Sequence, residues 1–336
     1  MMLQNNEKER NADRKSGFNP SPFYLGPMLI GWIRRQREWN FIFSAFLAVL
    51  ISMLSQATPS FDFFGLSIYL QKALYGLGIW MLAQAFHALL TRINLYESTS
   101  QFPVVVLVLF LSAFPIQTMD WLFLGGSFLW IATLYNVLRA PGEVRSHAGV
   151  FNAGFMGGCL MLVLPAYFYF LVFLWIYLSI SGPYTFRQGI ITGIGFLLPV
   201  SYYMAFDYIL FEGWGQDLWL RSGFSPYLGM LSLSVSQWVA LGVWLILTLF
   251  WSVASVQQNA GLKKNQRQVI QLAYVHVLSL LPLAFWLPQA NLRVLSWAGF
   301  SVSVLAAFYF MLGPANRTKD VLFWLFLLFC MGIGLV

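Results

Sequence analysis

Arg139-Ala140-Pro141-Gly142-Glu143-Val144-Arg145 leads into Phe151-Asn152-Ala153-Gly154-Phe155-Met156-Gly157-Gly158, and an apolar run then reaches Pro165. An aromatic run from Tyr167 to Tyr177 follows, ending at Gly182-Pro183. A turn with the single basic residue Arg187 opens a third apolar run, Gly189 to Phe211, with Asp207 near its far end. Three runs long enough to cross a bilayer are thus joined by turns of a few residues. A soluble chain of this length would have no water-facing surface left to offer. The stretch therefore predicts a polytopic helical membrane protein, and the residues on both sides repeat its pattern.

Composition agrees. Of 336 residues, 59% are hydrophobic and 9% charged, against roughly 25% charged in an average soluble domain. Aromatic residues make up 18%, with 14 Trp and 15 Tyr, the types enriched at bilayer interfaces. The net charge of +7 would suggest a nucleic-acid partner if it formed a patch. Here the basic residues sit singly or in small groups between apolar runs, so the charge reads as topology and excludes nucleic acid. Cys159 and Cys330 lie inside apolar runs without Cys or His at metal-ligand spacing, so neither a disulfide framework nor a metal site is expected.

Residues 1–21 mix both charge signs with Asn and Ser and are expected to form a disordered cytoplasmic tail. Residues 22–39, apolar up to Trp32 and then Arg34-Arg35-Gln36-Arg37, suggest an interfacial segment with arginines among the headgroups. Residues 40–336 form one transmembrane helical domain. The first span, about Phe41–Ala57, ends in small residues, but the polar region before it is too long for an ordinary signal peptide, so it reads as an uncleaved anchor. Ten further spans are expected near 66–90, 102–117, 121–138, 149–165, 166–182, 189–211, 226–252, 270–287, 290–312 and 321–336. Several are at the lower limit for a hydrocarbon core about 30 Å thick.

The fold class is thus an all-α bundle of about eleven spans. With the N-terminus in the cytoplasm and the C-terminus outside, 16 of the 19 basic residues fall on the inner side. Lys72, Arg221 and Arg293 are the exceptions. Removing one span would reverse every later turn and erase this bias. Asp62, Asp120, Asp207, Glu212 and Asp217 fall at or near the outer face.

Two groups of residues invite a functional reading. Asn152, Gly154, Gly157 and Gly158, ahead of Pro165, are small residues that let helices approach closely; the alternative is a broken helix lining a cavity. Lys72 lies roughly 9 Å and Asp207 roughly 6 Å along their helices from the outer ends. With Asp62 or Glu212 they are candidates for an outer polar pocket, although both side chains could snorkel instead. His276 stands within a span and reads first as a hydrogen-bonded packing residue. Three histidines are too few for an oxygenase that binds its metal through several intramembrane imidazoles. The chain carries no nucleotide loop, zinc-protease helix, nucleophile elbow or paired-cysteine motif, and no cofactor is expected.

Phe151-Asn152-Ala153-Gly154-Phe155, Pro165 with its aromatic run, Phe186-Arg187-Gln188-Gly189 and Gly195-Phe196-Leu197-Leu198-Pro199 together carry a resemblance. The chain resembles an uncharacterised family of polytopic bacterial inner-membrane proteins of about 300 residues, a domain of unknown function. The resemblance covers most of the chain and implies an all-helical envelope protein in the bacterial inner membrane. Phe186 stands where that family has a tryptophan. No catalytic residues come with the resemblance. Three functions compete: a non-catalytic component of an envelope assembly, with membrane lipid and other envelope membrane proteins as partners; a polyprenyl-linked glycosyltransferase or polymerase; and a transporter. The absence of catalytic motifs puts the first ahead. An outer loop of about eight residues after the first span weighs against the second, and the lack of an inverted repeat against the third.

Overall fold

The structure, a computed structural model, describes residues 37–54, 58–59, 66–92, 95, 101–113, 118–119, 121–138, 147–163, 170–181, 184–211, 242, 246–254, 262–286, 291–311 and 317–334. They are almost all helical. The helices are α1 (Arg37–Leu54), α2 (Ile68–Arg92), α3 (Phe102–Ala113), α4 (Trp121–Leu138), α5 (His147–Val163), α6 (Phe170–Ser181) and α7 (Phe186–Phe211). Residues 246–254 are also helical, and α8 (Lys264–Trp286), α9 (Asn291–Met311) and α10 (Arg317–Gly334) follow. Three of them, α2, α4 and α7, are long and apolar enough to cross a membrane. Large apolar side chains face outward along these helices, among them Met81, Leu122, Leu197, Phe206 and Ile209. In water such a surface would aggregate; against lipid it needs no other cover.

Helix α3 is the centre. Every described side chain from Phe102 to Leu111 is buried, because α1, α2, α9 and α10 all pack on it. At 12 residues it is about 18 Å long, short for a bilayer. An apolar run exposed to lipid and one wrapped in protein have the same sequence signature, so the sequence places this run without showing what surrounds it. Pro103 sits in its first turn, where a missing N–H costs nothing. The start of α3 is held by aromatic contacts. Phe102 meets Phe310 at 5.4 Å and Phe323 at 5.3 Å, and Trp251 joins Phe326 at 5.3 Å.

Helix starts differ from the sequence expectation in a consistent way. Arg37, Arg187, Lys264, Arg267, Arg317 and Lys319 lie in the first turns of their helices, not in the connections. Local capping explains two cases. The Thr185 N–H donates to Gln188 Oε1 at 3.1 Å, and the Gln188 N–H to Thr185 Oγ1 at 3.4 Å, a reciprocal capping box ahead of α7. The Lys263 N–H donates to Gln266 Oε1 at 3.0 Å and starts α8 a turn before the apolar run. Similarly, Arg37–Trp39 belong to α1, so the interfacial segment expected over 22–39 gives way to helix at its end. Its remaining residues lie outside the described ones, as do the tail, most of the eighth expected span (226–252) and the whole of 212–241.

Long-range ties set which helix ends lie together. Gln266 Nε2 donates to the Leu95 carbonyl at 2.9 Å, and Gln268 Nε2 to the Ile180 carbonyl at 3.4 Å. The α2–α3 turn, the α6–α7 turn and the start of α8 therefore share one end. Arg92, Arg187, Lys263, Lys264 and Arg267 cluster there, and we call it the basic end. At the opposite end, the segments after α1 and α3 meet as a two-residue parallel ladder, Thr58–Pro59 against Thr118–Met119.

Candidate functional site

The glycine run comes first. Among the described helices, α5 and α7 form the most extensive pair, and their backbones touch. A Cβ on Gly154 would strike the Thr192 carbonyl, and one on Gly158 the Phe196 carbonyl and, at 2.8 Å, the Pro199 ring. From the other side, a Cβ on Gly195 would strike the Phe151 carbonyl. Gly157 looks elsewhere, toward Leu174 of α6 at 2.9 Å and the Phe196 ring at 3.3 Å. Asn152 is exposed, and Pro165 lies outside the described residues. The crossing also accommodates Pro199 inside α7. The residue four before it is Gly195, so the pyrrolidine ring crowds a carbonyl whose residue has no side chain of its own.

The charged residues are less concentrated. Lys72 is half-buried near the start of α2 and Asp207 half-buried near the end of α7. Helix α2 packs on α1, α3 and α4, whereas α7 packs on α5 and α6, so no extensive helix interface joins the two. Around Asp207, Phe206, Tyr208, Ile209, Leu210 and Phe211 are all exposed. Asp62 and Glu212 lie outside the described residues.

A polar cluster that sequence alone leaves scattered lies in mid-bundle. His276 of α8 and Trp130 of α4 are both buried, and their rings stack at 4.5 Å with 26° between planes. His276 Nδ1 lies 2.7 Å from Ser301 Oγ of α9. Ser279 Oγ donates to the His276 carbonyl at 2.6 Å. The two rings border a cavity of about 30 Å³ whose other walls are mostly apolar, including Leu89, Leu134, Leu272 and Val304, with Tyr177 and Ser301 also on its lining. One turn along α4 toward its start, Ser127 accepts from Trp297 Nε1 at 2.8 Å and donates to the Phe123 carbonyl at 2.7 Å. Similar ties join Trp80 to Ser44 at 3.2 Å and Gln84 to Gln101 at 2.9 Å. Nothing in the spacing of Trp130, His276 and Ser301 along the chain foretells that they meet. The one available signal was a polar residue in each of three apolar runs.

Among the described residues, no three His, Cys, Asp or Glu side chains gather as a metal ion would require. Comparison with protein-family models, with curated proteins and with solved structures found no match.

Proposed function

We propose that this is a multi-pass protein of the bacterial inner membrane, with eleven spans, and that it serves as a non-catalytic component of an envelope assembly. The observation that carries the reading is how the buried polar groups are used. Ser44, Ser127 and Ser301 each tie one helix to another, and Gln101 and the Leu95 carbonyl tie the α2–α3 connection to α2 and α8. The mid-bundle cavity has mostly apolar walls, with His276 and Tyr177 as the ionisable residues on its lining and no carboxylate among them. Such a bundle is built to hold a shape within lipid.

The basic end supports the orientation. Clustered Lys and Arg at one end fit the cytoplasmic face. Basic residues in the first turn of a helix oppose its macrodipole, and anionic headgroups beside that turn would offset the cost. The parity of crossings agrees with eleven spans. Ile180 and Gln268 share the basic end, which fits an even number of crossings between them, with α7 as one and the helical residues 246–254 as part of another.

Purification in native lipid followed by mass spectrometry tests the function. A stoichiometric membrane-protein partner is the expected result. A stoichiometric polyprenyl phosphate without a protein partner would overturn it in favour of glycosyl transfer. For topology, a reporter active only outside the cytoplasm should work when fused after Val336 and stay silent when fused after Asn316; the reverse pattern would refute the span count.

A further inference from the structure

The stacked pair in mid-bundle leaves two buried nitrogens unsatisfied. Trp130 Nε1 and His276 Nε2 have no hydrogen-bond partner, although Trp130 is fully buried and His276 is 3% exposed. A buried polar group left without a partner is destabilising, so two together on one cavity wall need an explanation. The tautomer narrows it. Ser301 has His276 as its hydroxyl's partner, at 2.7 Å, whereas Ser279 and Ser303 turn theirs to carbonyls in their own helices. The Ser301 hydroxyl therefore donates to Nδ1, which leaves the imidazole proton on Nε2. The indole offers only an N–H. Two nitrogen donors thus stand at a cavity whose lining also includes Tyr177 and Ser301, and neither nitrogen has an acceptor within hydrogen-bond distance.

Size and shape limit what can. The cavity measures about 30 Å³, and a buried water needs about 10–15 Å³ measured this way, so about two waters fit and a larger organic ligand does not. The walls add a direction. On α4 they run from Trp130 through Leu134 to Leu138, and on α8 from His276 back through Ala273 and Leu272 to Val269. On both helices the lining extends from the stacked pair toward the basic end, and none of it lies on the far side. We propose that the Trp130–His276 pair is a hydration site at the core of the bundle. A water oxygen accepts from Trp130 Nε1 and His276 Nε2, and the cavity housing it faces the basic end.

Solid-state NMR of the full chain in hydrated bilayers, with histidine ring nitrogens labelled, tests this. The His276 signal is assigned by its loss in His276→Gln or, if that variant does not accumulate, by elimination with His87→Gln and His147→Gln. The expected spectrum shows His276 neutral, protonated on Nε2, with a cross-peak from that proton to water. Ala273→Leu, which fills the cavity and leaves both rings in place, should reduce the cross-peak at least tenfold. A proton on Nδ1 would remove the donor that the proposal needs, and contact to protein methyls alone would mean a dry cavity; either result would overturn the proposal. So would a cross-peak that survives Ala273→Leu unchanged.

Discussion

The α5–α7 crossing and the surroundings of α3 are both buried and apolar, yet they solve the packing problem in opposite ways. At the crossing, glycines bring one backbone against the other, and the contacts are carbonyl on Cα. Around α3, bulky side chains fill the space, with Phe102, Trp251, Phe310 and Phe323 in mutual contact. Helices in lipid gain little from the hydrophobic effect, since lipid tails are as apolar as leucine, so packing must come from close contact or polar ties. Backbone contact is rigid and tolerates no added atom. Ring contact is adaptable and tolerates change of shape better than loss of volume. The two regions should therefore fail under opposite mutations.

Addition at the crossing should be the most damaging. Gly158→Leu would drive a branched side chain into the Phe196 carbonyl and the Pro199 ring. Overpacking typically costs about 1–3 kcal/mol, and here the obstacle is backbone, so the upper end is expected, about 3 kcal/mol. Reversible unfolding in bicelles would measure it. A melting curve matching the unsubstituted protein would show that α5 and α7 can part without loss, and would end the contrast.

Removal at the α3 core comes next. Phe310→Ala empties about 100 Å³; a residual cavity costs about 24 cal/mol per Å³, and with lipid as the alternative surroundings the transfer part is small, leaving about 2 kcal/mol. Phe310→Leu, which keeps most of the volume, should cost under about 1.5 kcal/mol. If the leucine variant were as unstable as the alanine one, ring geometry would matter here as strictly as backbone geometry does at the crossing.

These two regions also differ in how far the sequence discloses them. The run from Asn152 to Gly158 says that some helix can come close, because small residues allow it. It cannot say which helix, since Gly195 meets it from well over thirty residues downstream. The Phe102–Ala113 run is apolar all round and so gives no face to orient; only the structure shows protein on every side of it. Helix existence was readable wherever apolar residues ran on. Helix starts were not, because polar residues such as Thr185, Gln188 and Gln266 build the first turn by capping, which leaves no mark on hydropathy. As for the sites, Lys72 and Asp207 stood out because charge in an apolar run is rare. Trp130, His276 and Ser301 did not, because pairing across three helices is a property of packing.

Polar ties form a third kind of contact, between the other two in rigidity. Trp297→Phe keeps the ring volume near Phe123, 6.1 Å away, and removes only the donor to Ser127. Measured interhelical hydrogen bonds in membranes average about 0.6 kcal/mol, so a loss of about 0.5–1 kcal/mol is expected. Ser127 still donates to the Phe123 carbonyl and is not left stranded. A loss above about 2 kcal/mol would mean that the indole does more than tie α9 to α4.

The smallest effect is also the sharpest test, because it separates two glycines on the same helix. Gly195 faces α5, where a Cβ would strike the Phe151 carbonyl and lie 3.1 Å from the Phe155 nitrogen. Gly193, two positions earlier, has nothing within 4 Å of such a Cβ. Composition, depth and helix are shared, and only the facing neighbour differs. Gly195→Ala should destabilise, since the contact is with backbone that cannot turn aside. Gly193→Ala should be neutral or slightly stabilising, by up to about 1 kcal/mol, because alanine is the better helix former. Thermal unfolding of the two variants side by side would decide it. Equal losses at both positions would show that α7 needs flexible glycine backbone along its length, and the reading of the crossing as a steric fit with α5 would have to be given up.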